Sequence, residues 1–223
     1  MKREIVLDTE TTGFEPSQGH RLVEIGCLEL INHIPTGRVF HTYINPNREV
    51  PQDAYHIHGL SYDFLKDHPS FEDIASSFLD FIEESPLVIH NAKFDMKFIN
   101  AELKNNQRNE VPFHRAIDTL LIARQKFPGS PASLDALCKR FGVDNKARNK
   151  HGALLDAELL AQVYIELIDA KQPGLSLDKD SSFQDTKASH TKDKKYYPPR
   201  PHTPTGEEYD LHKELLAKLI VQN

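Results

Sequence analysis

Short apolar runs and amphipathic stretches follow one another through most of the chain. Five strands are predicted, the first ending near Asp8 and the others covering 21–31, 38–44, 86–89 and 114–118. Each is a compact run of apolar and β-branched residues between turn residues. The segment 32–37 predicts the hairpin turn that joins the second and third strands.

Apolar residues at helical spacing predict five helices in the same region. They cover 71–82, 93–104, 119–126, 133–141 and 153–170. Ser70 with Asp73 forms a helix-start pattern for the first of them. The short segment 55–60 is expected to be loop-like. An antiparallel meander followed by β-α units favours an α/β fold, in which a mixed five-stranded sheet is flanked by helices on both faces.

The pattern changes after about residue 170. Residues 171–205 are polar and predict a flexible linker. A capping-box pattern then begins at Thr205. It is followed at helical spacing by Leu211, Leu215, Leu216, Leu219 and Ile220. We therefore expect a main domain over 1–170, the linker, and an amphipathic helix over 206–223 that either binds a partner or folds back on the main domain.

Composition excludes several classes of protein. The chain has 223 residues, 39% of them hydrophobic and 27% charged, which fits one well-packed domain with a polar addition. The net charge of −6 argues against a broad basic face for nucleic acid. Neither a membrane span nor a signal peptide is predicted. With only two cysteines, Cys27 and Cys138, we expect reduced thiols and a cytoplasmic location.

Two carboxylates follow the first apolar run. Asp8 and Glu10 are two residues apart, so on a strand their side chains point to the same face. Like charges at that separation repel, and a divalent cation with a preference for oxygen ligands, Mg²⁺ or Mn²⁺, would relieve the conflict. The alternative is a pair of solvated acids at the tip of an edge strand.

Two further acids lie at the starts of predicted helices. Asp95 follows a buried strand, where the helix dipole also favours an acid. Asp156 heads an apolar helix line, so its carboxylate needs a positive partner if it is buried. His151 lies five residues before Asp156, and such residues do not share a helix face. We therefore expect His151 in a loop beside the site, where an imidazole can accept a proton from a metal-bound water.

These segments together resemble a known family. Its motifs match the segments Asp8-Thr9-Glu10-Thr11-Thr12-Gly13, His90-Asn91 with Phe94-Asp95, and His151-Gly152-Ala153-Leu154-Leu155-Asp156-Ala157. Over about residues 3–170 the chain resembles the DEDD exonuclease superfamily, in its His-bearing subclass. The resemblance implies an RNase H-like fold and a 3′→5′ exonuclease that releases nucleoside 5′-monophosphates. Within the superfamily, the chain is most similar to exonucleases that proofread for bacterial replicative DNA polymerases.

The resemblance also implies a role for each matching residue. Asp8, Glu10, Asp95 and Asp156 would hold two Mg²⁺ or Mn²⁺ ions, with Asp8 bridging them, and His151 would be the general base. The implied pocket for the terminal nucleotide consists of Asp8, Glu10, Thr11, Ile57, His58, Asn91, Phe94 and Asp156. Loop polarity for His58 and core packing for Phe94 are the alternatives. Asp118 also matches a family acid, but we expect it to cap the next helix.

The partners follow from the same resemblance. The substrate would be DNA 3′ ends, and the C-terminal helix would bind the polymerase catalytic subunit. Residues 172–177 resemble a sliding-clamp peptide with Gln172, Leu175 and Leu177 as its anchors. No membrane partner is expected. Two alternatives remain open, an exoribonuclease of the same superfamily and a non-catalytic accessory subunit of a polymerase.

Overall fold

A five-stranded mixed sheet lies at the centre of the main folded unit. The computed structural model describes residues 2–145, 150–170 and 205–220; for residues 218–220 it describes the backbone alone. The strands are β1 (Arg3–Thr11), β2 (Leu22–Ile31), β3 (Ile34–Tyr43), β4 (Leu87–Ile89) and β5 (Ala116–Asp118). Their order in the sheet is β3-β2-β1-β4-β5. Strands β1 to β3 pair antiparallel, whereas β4 pairs parallel with both β1 and β5, which confirms the predicted fold class.

The helices cover both faces of this sheet. Those of the main unit are α1 (Gln52–His58), α2 (Tyr62–Leu65), α3 (Phe71–Ile82), α4 (Ala92–Asn105), α5 (Thr119–Lys126), α6 (Leu134–Phe141) and α7 (Ala153–Leu167). A further helix, α8 (Gly206–Ile220), follows later in the chain. The chain divides into two compact units, and α8 belongs to the second of them. The candidate site lies in the first.

Side chains of β1 alternate between two hydrophobic cores. Ile5 and Leu7 join one core with residues of α3 and α4, whereas Val6 joins the other with residues of α7. This alternation follows from the two-residue period of a strand. Odd positions of β1 therefore face α4, and even positions, including Asp8 and Glu10, face α7.

The first hairpin differs from the prediction. Its turn consists of Asn32 and His33, both with positive φ, and β3 begins already at Ile34 rather than near residue 38. Two consecutive left-handed residues form the tight turn whose twist matches antiparallel strands. Pro35 and Gly37 near the start of β3 favour a turn in the sequence, and the strand accommodates them because β3 is an edge strand with a largely exposed surface.

The expected loop at 55–60 is also wrong. Residues Gln52–His58 form α1, which ends at Gly59 in the left-handed conformation. Ala54 and His58 are both buried, four residues apart on one face of this helix. A helix so short depends on tertiary packing, which local periodicity does not report. The following helix α2, capped by Ser61, was not predicted either.

Other elements begin or end a few residues away from their predicted bounds. Strand β1 continues past Asp8 to Thr11 because its pairing with β2 continues, and α7 ends at Leu167 rather than residue 170. The predicted linker, except for its last residue, and the clamp-peptide residues Gln172, Leu175 and Leu177 lie outside the described residues. Cys27 and Cys138 are both buried. Within the described ranges, each helix is too short or too polar to cross a membrane.

Candidate active site

The carboxylates of Asp8 and Glu10 lie on the central strand of the sheet. β1 has a neighbour on each side, so the alternative of solvated acids on an edge strand is wrong. Glu10 is buried and Asp8 is partly buried. Burial of acids requires compensation by positive charge or hydrogen bonds, which makes this pair a candidate for cation binding.

A glycine on β2 lets α7 approach these carboxylates. Gly26 pairs with Asp8 in the sheet register. A Cβ atom at this position would overlap the backbone of Ala153 and Leu154 in the first turn of α7. Because Gly26 has no side chain, the start of α7 rests directly on β2. This contact brings Asp156, 2% exposed, to the side of the sheet that Asp8 and Glu10 face.

Asp95 lines one cavity together with Asp8, Glu10 and Asp156, but it comes from α4, on the opposite side of the sheet from α7. It lies in the first turn of α4 and is 3% exposed. Thr9, an odd position of β1, donates a hydrogen bond from Oγ1 to Asp95 Oδ1 at 2.7 Å. Burial raises the pKa of the Asp95 carboxyl to about 7, with the Thr9 hydrogen bond acting in the opposite direction. A nearby cation would favour its charged form.

His151 lies in the loop before α7, as the sequence predicts. Its Nδ1 is 3.2 Å from Asp156 Oδ2, so this acid does meet a basic group. One ligand atom each from Glu10, His151 and Asp156 lie within 4.8 Å of one another. Among the described residues, Asp8 and Asp95 line the same cavity without belonging to this close group. The donors are carboxylate oxygens and an imidazole, a set that fits a divalent ion.

Asp118 fixes the turn from which α4 starts. Its carboxylate accepts hydrogen bonds from the backbone of Leu120 and Leu121, which confirms its predicted role as the cap of α5. It also accepts from the backbone N–H groups of Asn91 and Ala92. Asn91 adopts a left-handed conformation with φ of 66° at this point. Asp118 therefore holds the turn that directs α4, and with it Asp95, toward the cavity.

Two adjoining cavities contain all the residues predicted for the site. The first, about 680 Å³, is lined by Asp8, Glu10, Asn91, Phe94, Asp95, His151 and Asp156. The second, about 340 Å³, is lined by Thr11, Ile57 and His58, and also by Glu10 and Phe94. Since Glu10 and Phe94 line both, the predicted metal site and the predicted nucleotide pocket are neighbours.

His58 is a buried wall of the second cavity and not a polar loop residue. Its Nδ1 accepts a hydrogen bond from the Leu60 N–H at 3.0 Å, which requires that nitrogen to be unprotonated. Burial lowers the pKa of His58 to about 4; the nearby Thr11 backbone partly opposes this shift, and the charges of Lys150 and His151 add to it. His58 is therefore a neutral imidazole at physiological pH.

Phe94 serves both the core and the cavities. Its ring packs against Phe98, with a centroid separation of 5.2 Å, and borders the first hydrophobic core. Lys97 Nζ lies 5.7 Å from the centre of the same ring. Lys97 is itself held by the Phe14 carbonyl and the Glu15 carboxylate. The core alternative is thus correct for part of the ring, while the rest lines both cavities.

Sequence reasoning missed several residues of the two cavities. The first cavity also contains Arg124, the segment 130–135 and His90, which belonged to a family motif but received no role; the second contains Phe14 and His20. Thr9 was overlooked although it stands between the two acids, because its strand position points away from them. Parity along β1 could have identified Thr9 as a partner for an acid of the opposite layer. No local pattern marks Arg124 or 130–135, which only the tertiary fold brings to the cavity.

Comparison with known proteins places the chain in a family. Residues 5–164 match the model of the RNase T family, described as exonuclease. The chain is 51% identical to the DNA polymerase III subunit epsilon of Rickettsia felis, with 98% of this chain and 97% of that protein covered.

Solved structures agree on the fold. Exonuclease X in complex with 5′ overhanging duplex DNA has 25% identity and a TM-score of 0.58, over 74% of this chain and 91% of that one. The nuclease domain of 3′hExo, a DEDDh family member, bound to rAMP, has 18% identity and a TM-score of 0.64, over 75% and 92%. The resemblance to exonucleases that the sequence predicts is confirmed by the family match and by the polymerase III epsilon relative. The chain belongs to the RNase T exonuclease family, in the branch of the DNA polymerase III epsilon subunits.

Proposed function

We propose that this protein is a metal-dependent 3′→5′ DNA exonuclease that proofreads for a replicative DNA polymerase and releases nucleoside 5′-monophosphates. The observation that carries the proposal is the pair of adjoining cavities. Four carboxylates and His151 line the larger one, and Glu10 and Phe94 connect it to the smaller one. This arrangement offers a place for reaction beside a place for a terminal nucleotide.

The proposed cofactors are two Mg²⁺ or Mn²⁺ ions. Asp8, Glu10, Asp95 and Asp156 would hold them, which would offset the mutual repulsion of four acids in one cavity. When bound, such ions activate water and stabilise the charge on the leaving 3′-oxygen. The oxygen donors of this chain suit these hard cations.

His151 is the proposed general base. Its side chain is about half exposed and lines the larger cavity, so it is accessible to water there. Once its ring has taken a proton, the carboxylate of Asp156, 3.2 Å from Nδ1, stabilises the resulting imidazolium. Asp156 would therefore act on both the cation and the base.

The smaller cavity is the proposed pocket for the 3′-terminal nucleotide. Ile57 and Phe94 offer apolar surface to a base, and an aromatic ring is a suitable stacking partner. Thr11 and the neutral His58 supply polar atoms at the same wall. Asn91 lines the larger cavity beside Phe94. A frayed end reaches such a pocket at lower cost than a paired end, which favours removal of mismatches.

The site assignment is tested with Asp8→Ala. This variant should lose nearly all Mg²⁺-dependent release of 5′-mononucleotides from a DNA 3′ end, because one of four convergent acids is missing. Asp63→Ala, which removes an exposed acid paired with Lys66, is the matched control and should retain activity. Full activity of Asp8→Ala would show that the assignment is wrong.

The substrate class is tested by competition. DNA and RNA oligomers of one sequence are mixed, and their degradation is followed together with that of duplexes with matched or mismatched 3′ ends. We expect preferred degradation of DNA and faster release from mismatched ends. Preferred degradation of RNA would favour the exoribonuclease alternative. Absence of any nuclease activity, with retained polymerase binding, would favour the accessory-subunit alternative.

Helix α8 is the proposed contact with the polymerase catalytic subunit. Its start is stabilised by a capping box between Thr205 and Glu208, as the sequence predicts. Among its described side chains, Tyr209, Leu211, Leu215 and Leu216 are large, apolar and exposed. Such a set suits docking into a groove of a partner protein. Within this proposal, 171–205 remains the linker, 172–177 the clamp peptide, and the cytoplasm the location.

The partner proposal is tested by size-exclusion chromatography with a polymerase catalytic subunit. Leu211→Glu with Leu215→Glu, and a chain truncated after Gln172, should no longer co-elute with it but should keep nuclease activity. His212→Ala on the same helix should co-elute like the unaltered chain. Unchanged binding of the truncated chain would move the interface to the main domain.

A further inference from the structure

The loop that carries His151 rests on the last turn of α1. The His151 backbone N–H donates a hydrogen bond to the Ile57 carbonyl at 3.2 Å. The ammonium of the preceding residue, Lys150, lies 4.8 Å from the centre of the Tyr55 ring. A cation over an aromatic face is attracted by the ring quadrupole. Both residues of the loop therefore contact the same helical turn.

The side chain of Lys150 lies directly against Gly59. A Cβ at Gly59 would lie 2.6 Å from Lys150 Cδ and 2.7 Å from its Nζ, so the lysine side chain occupies the space that any other residue would fill. Gly59 also has a φ of 77°, which favours glycine. The side chain of Lys150, although exposed, therefore lies over Gly59 and ends at the Tyr55 ring instead of extending into solvent.

The same turn of α1 also forms the nucleotide pocket. Ile57 and His58 line the smaller cavity, and Ile57 is the residue whose carbonyl binds the His151 backbone. The charges of Lys150 and His151 both contribute to the low pKa of His58, which agrees with their closeness to it. One helical turn therefore lines the proposed nucleotide pocket and also holds the loop of His151, the proposed general base.

We propose that Lys150 is a positioning residue, whose packing on Tyr55 and Gly59 holds the imidazole of His151 beside Asp156. It does not touch the reacting atoms. It acts through His151, so this inference rests on the proposed role of that residue as general base. Positioning matters here because a small displacement of a catalytic group lowers the rate strongly.

The first experiment measures kcat and KM on a DNA oligomer with saturating Mg²⁺. Lys150→Gln should lower kcat about tenfold, the size of effect expected for a lost cation–π contact with loss of loop order, with KM changed less than about twofold. Lys150→Arg retains a cation for the ring and should restore most of kcat. Lys104→Gln removes the same charge from an exposed position of α4 and should leave both constants unchanged.

Variants of Tyr55 test the other side of the contact. Tyr55→Phe keeps the ring face and should behave like the unaltered chain, whereas Tyr55→Leu should reproduce the kcat loss of Lys150→Gln. Thermal unfolding of each variant separates loss of folding from loss of positioning. A kcat for Lys150→Gln equal to that of the unaltered chain would overturn the proposal.

A double-mutant cycle with His151→Ala decides whether Lys150 acts through His151. In the His151→Ala background, Lys150→Gln should have no further effect on residual activity. An undiminished tenfold effect there would assign Lys150 to direct substrate binding and overturn the positioning role. If His151→Ala itself is fully active, the proposed general base fails instead, so the two failures are distinguishable.

Discussion

At the scale of single residues, the candidate site is organised by polar contacts that cross the sheet. Thr9 lies between two acids in sequence, yet its hydroxyl binds the acid on the opposite layer, Asp95, at 2.7 Å. The carboxylate is buried, so this hydrogen bond compensates part of its desolvation. It also fixes the orientation of one oxygen and leaves the other for a different partner. Contacts of this kind tune the affinity of a cation site.

Thr9→Val is expected to weaken cation binding without unfolding the protein. Valine keeps the shape but removes the hydroxyl donor, which leaves Asp95 less well oriented and favours its protonated form. The Mg²⁺ concentration for half-maximal nuclease activity should rise about tenfold. Thr9→Ser keeps the hydroxyl and is the control. Equal Mg²⁺ dependence for Thr9→Val and the unaltered chain would contradict a role for this hydrogen bond.

His58 makes folding stability depend on pH in a defined direction. Its folded pKa of about 4 lies below the unfolded value, 6.5. The native state therefore prefers the neutral ring, and the stability this provides is present above pH 6.5 and lost as the pH falls toward 4. The full loss amounts to about 3 kcal/mol.

Urea unfolding of the metal-free protein at pH 7.5, 5 and 4 measures this effect. The unaltered chain should lose stability over this range more steeply than His58→Gln, which has no ionisable ring. The difference between the two chains isolates His58 from the other titrating groups. Parallel pH profiles would show that His58 is protonated as easily in the folded state as in the unfolded chain.

At the scale of elements, the decisive contact is the approach of α7 to β2 at Gly26. The backbone of Ala153 and Leu154 occupies the space in which a side chain at Gly26 would lie. Asp156 follows Leu154 within the same helical turn. A displacement of α7 by the width of a methyl group would therefore move Asp156 and the neighbouring His151 away from Glu10.

Gly26→Ala is expected to lower both stability and activity. The added methyl group meets helix backbone, which cannot turn aside, so overpacking should cost about 1–3 kcal/mol. Nuclease activity should fall by at least about tenfold, since the site requires close placement of its groups. Gly206→Ala, where an added Cβ meets open space, is the control.

Chemical denaturation and nuclease assays on the same preparations separate the two effects. Activity per folded molecule should remain low for Gly26→Ala at temperatures well below its unfolding transition. Unaltered activity in the folded variant would mean that α7 need not approach β2 this closely.

At the scale of the whole molecule, carboxylates from the sheet and from helices on both of its faces converge on one cavity. The chain has a net charge of −6, and four carboxylates from β1, α4 and α7 share one cavity. Such a cluster destabilises the folded state by repulsion until cations bind. On the proposed function, we expect the main unit to hold DNA only locally and weakly, and the proposed contact of α8 with the polymerase to compensate by raising the effective concentration.

Binding of Mg²⁺ or Mn²⁺ should therefore stabilise the folded protein against heat. A ligand that binds only the native state raises its stability in proportion to the logarithm of ligand concentration. The midpoint temperature should rise by several degrees in millimolar Mn²⁺, and chelation should reverse the shift. Asp156→Asn should show a smaller shift, and Asp63→Ala the full one. Equal shifts in both variants would place cation binding outside this cavity.

Periodicity along the sequence was sufficient for the elements that have long, regular patterns. The mixed sheet, the helices α3 to α7 and the cap of α5 by Asp118 were predicted close to their observed positions. The edge strand β3 and the short helix α1 were misjudged, because an exposed edge and a single buried turn give weak patterns. Those two elements depend on the neighbours against which they pack.

What the sequence determined by itself was the set of candidate residues. Residue type and spacing marked Asp8, Glu10, Asp95, Asp156 and His151 as candidates, and the resemblance to the exonuclease family implied their roles. The tertiary structure decided their neighbours: Thr9 behind Asp95, Gly26 beneath α7, and Lys150 across Gly59. Spacing reports on one strand or helix at a time, whereas these contacts join residues far apart in the chain, and only the packing of layers brings them together.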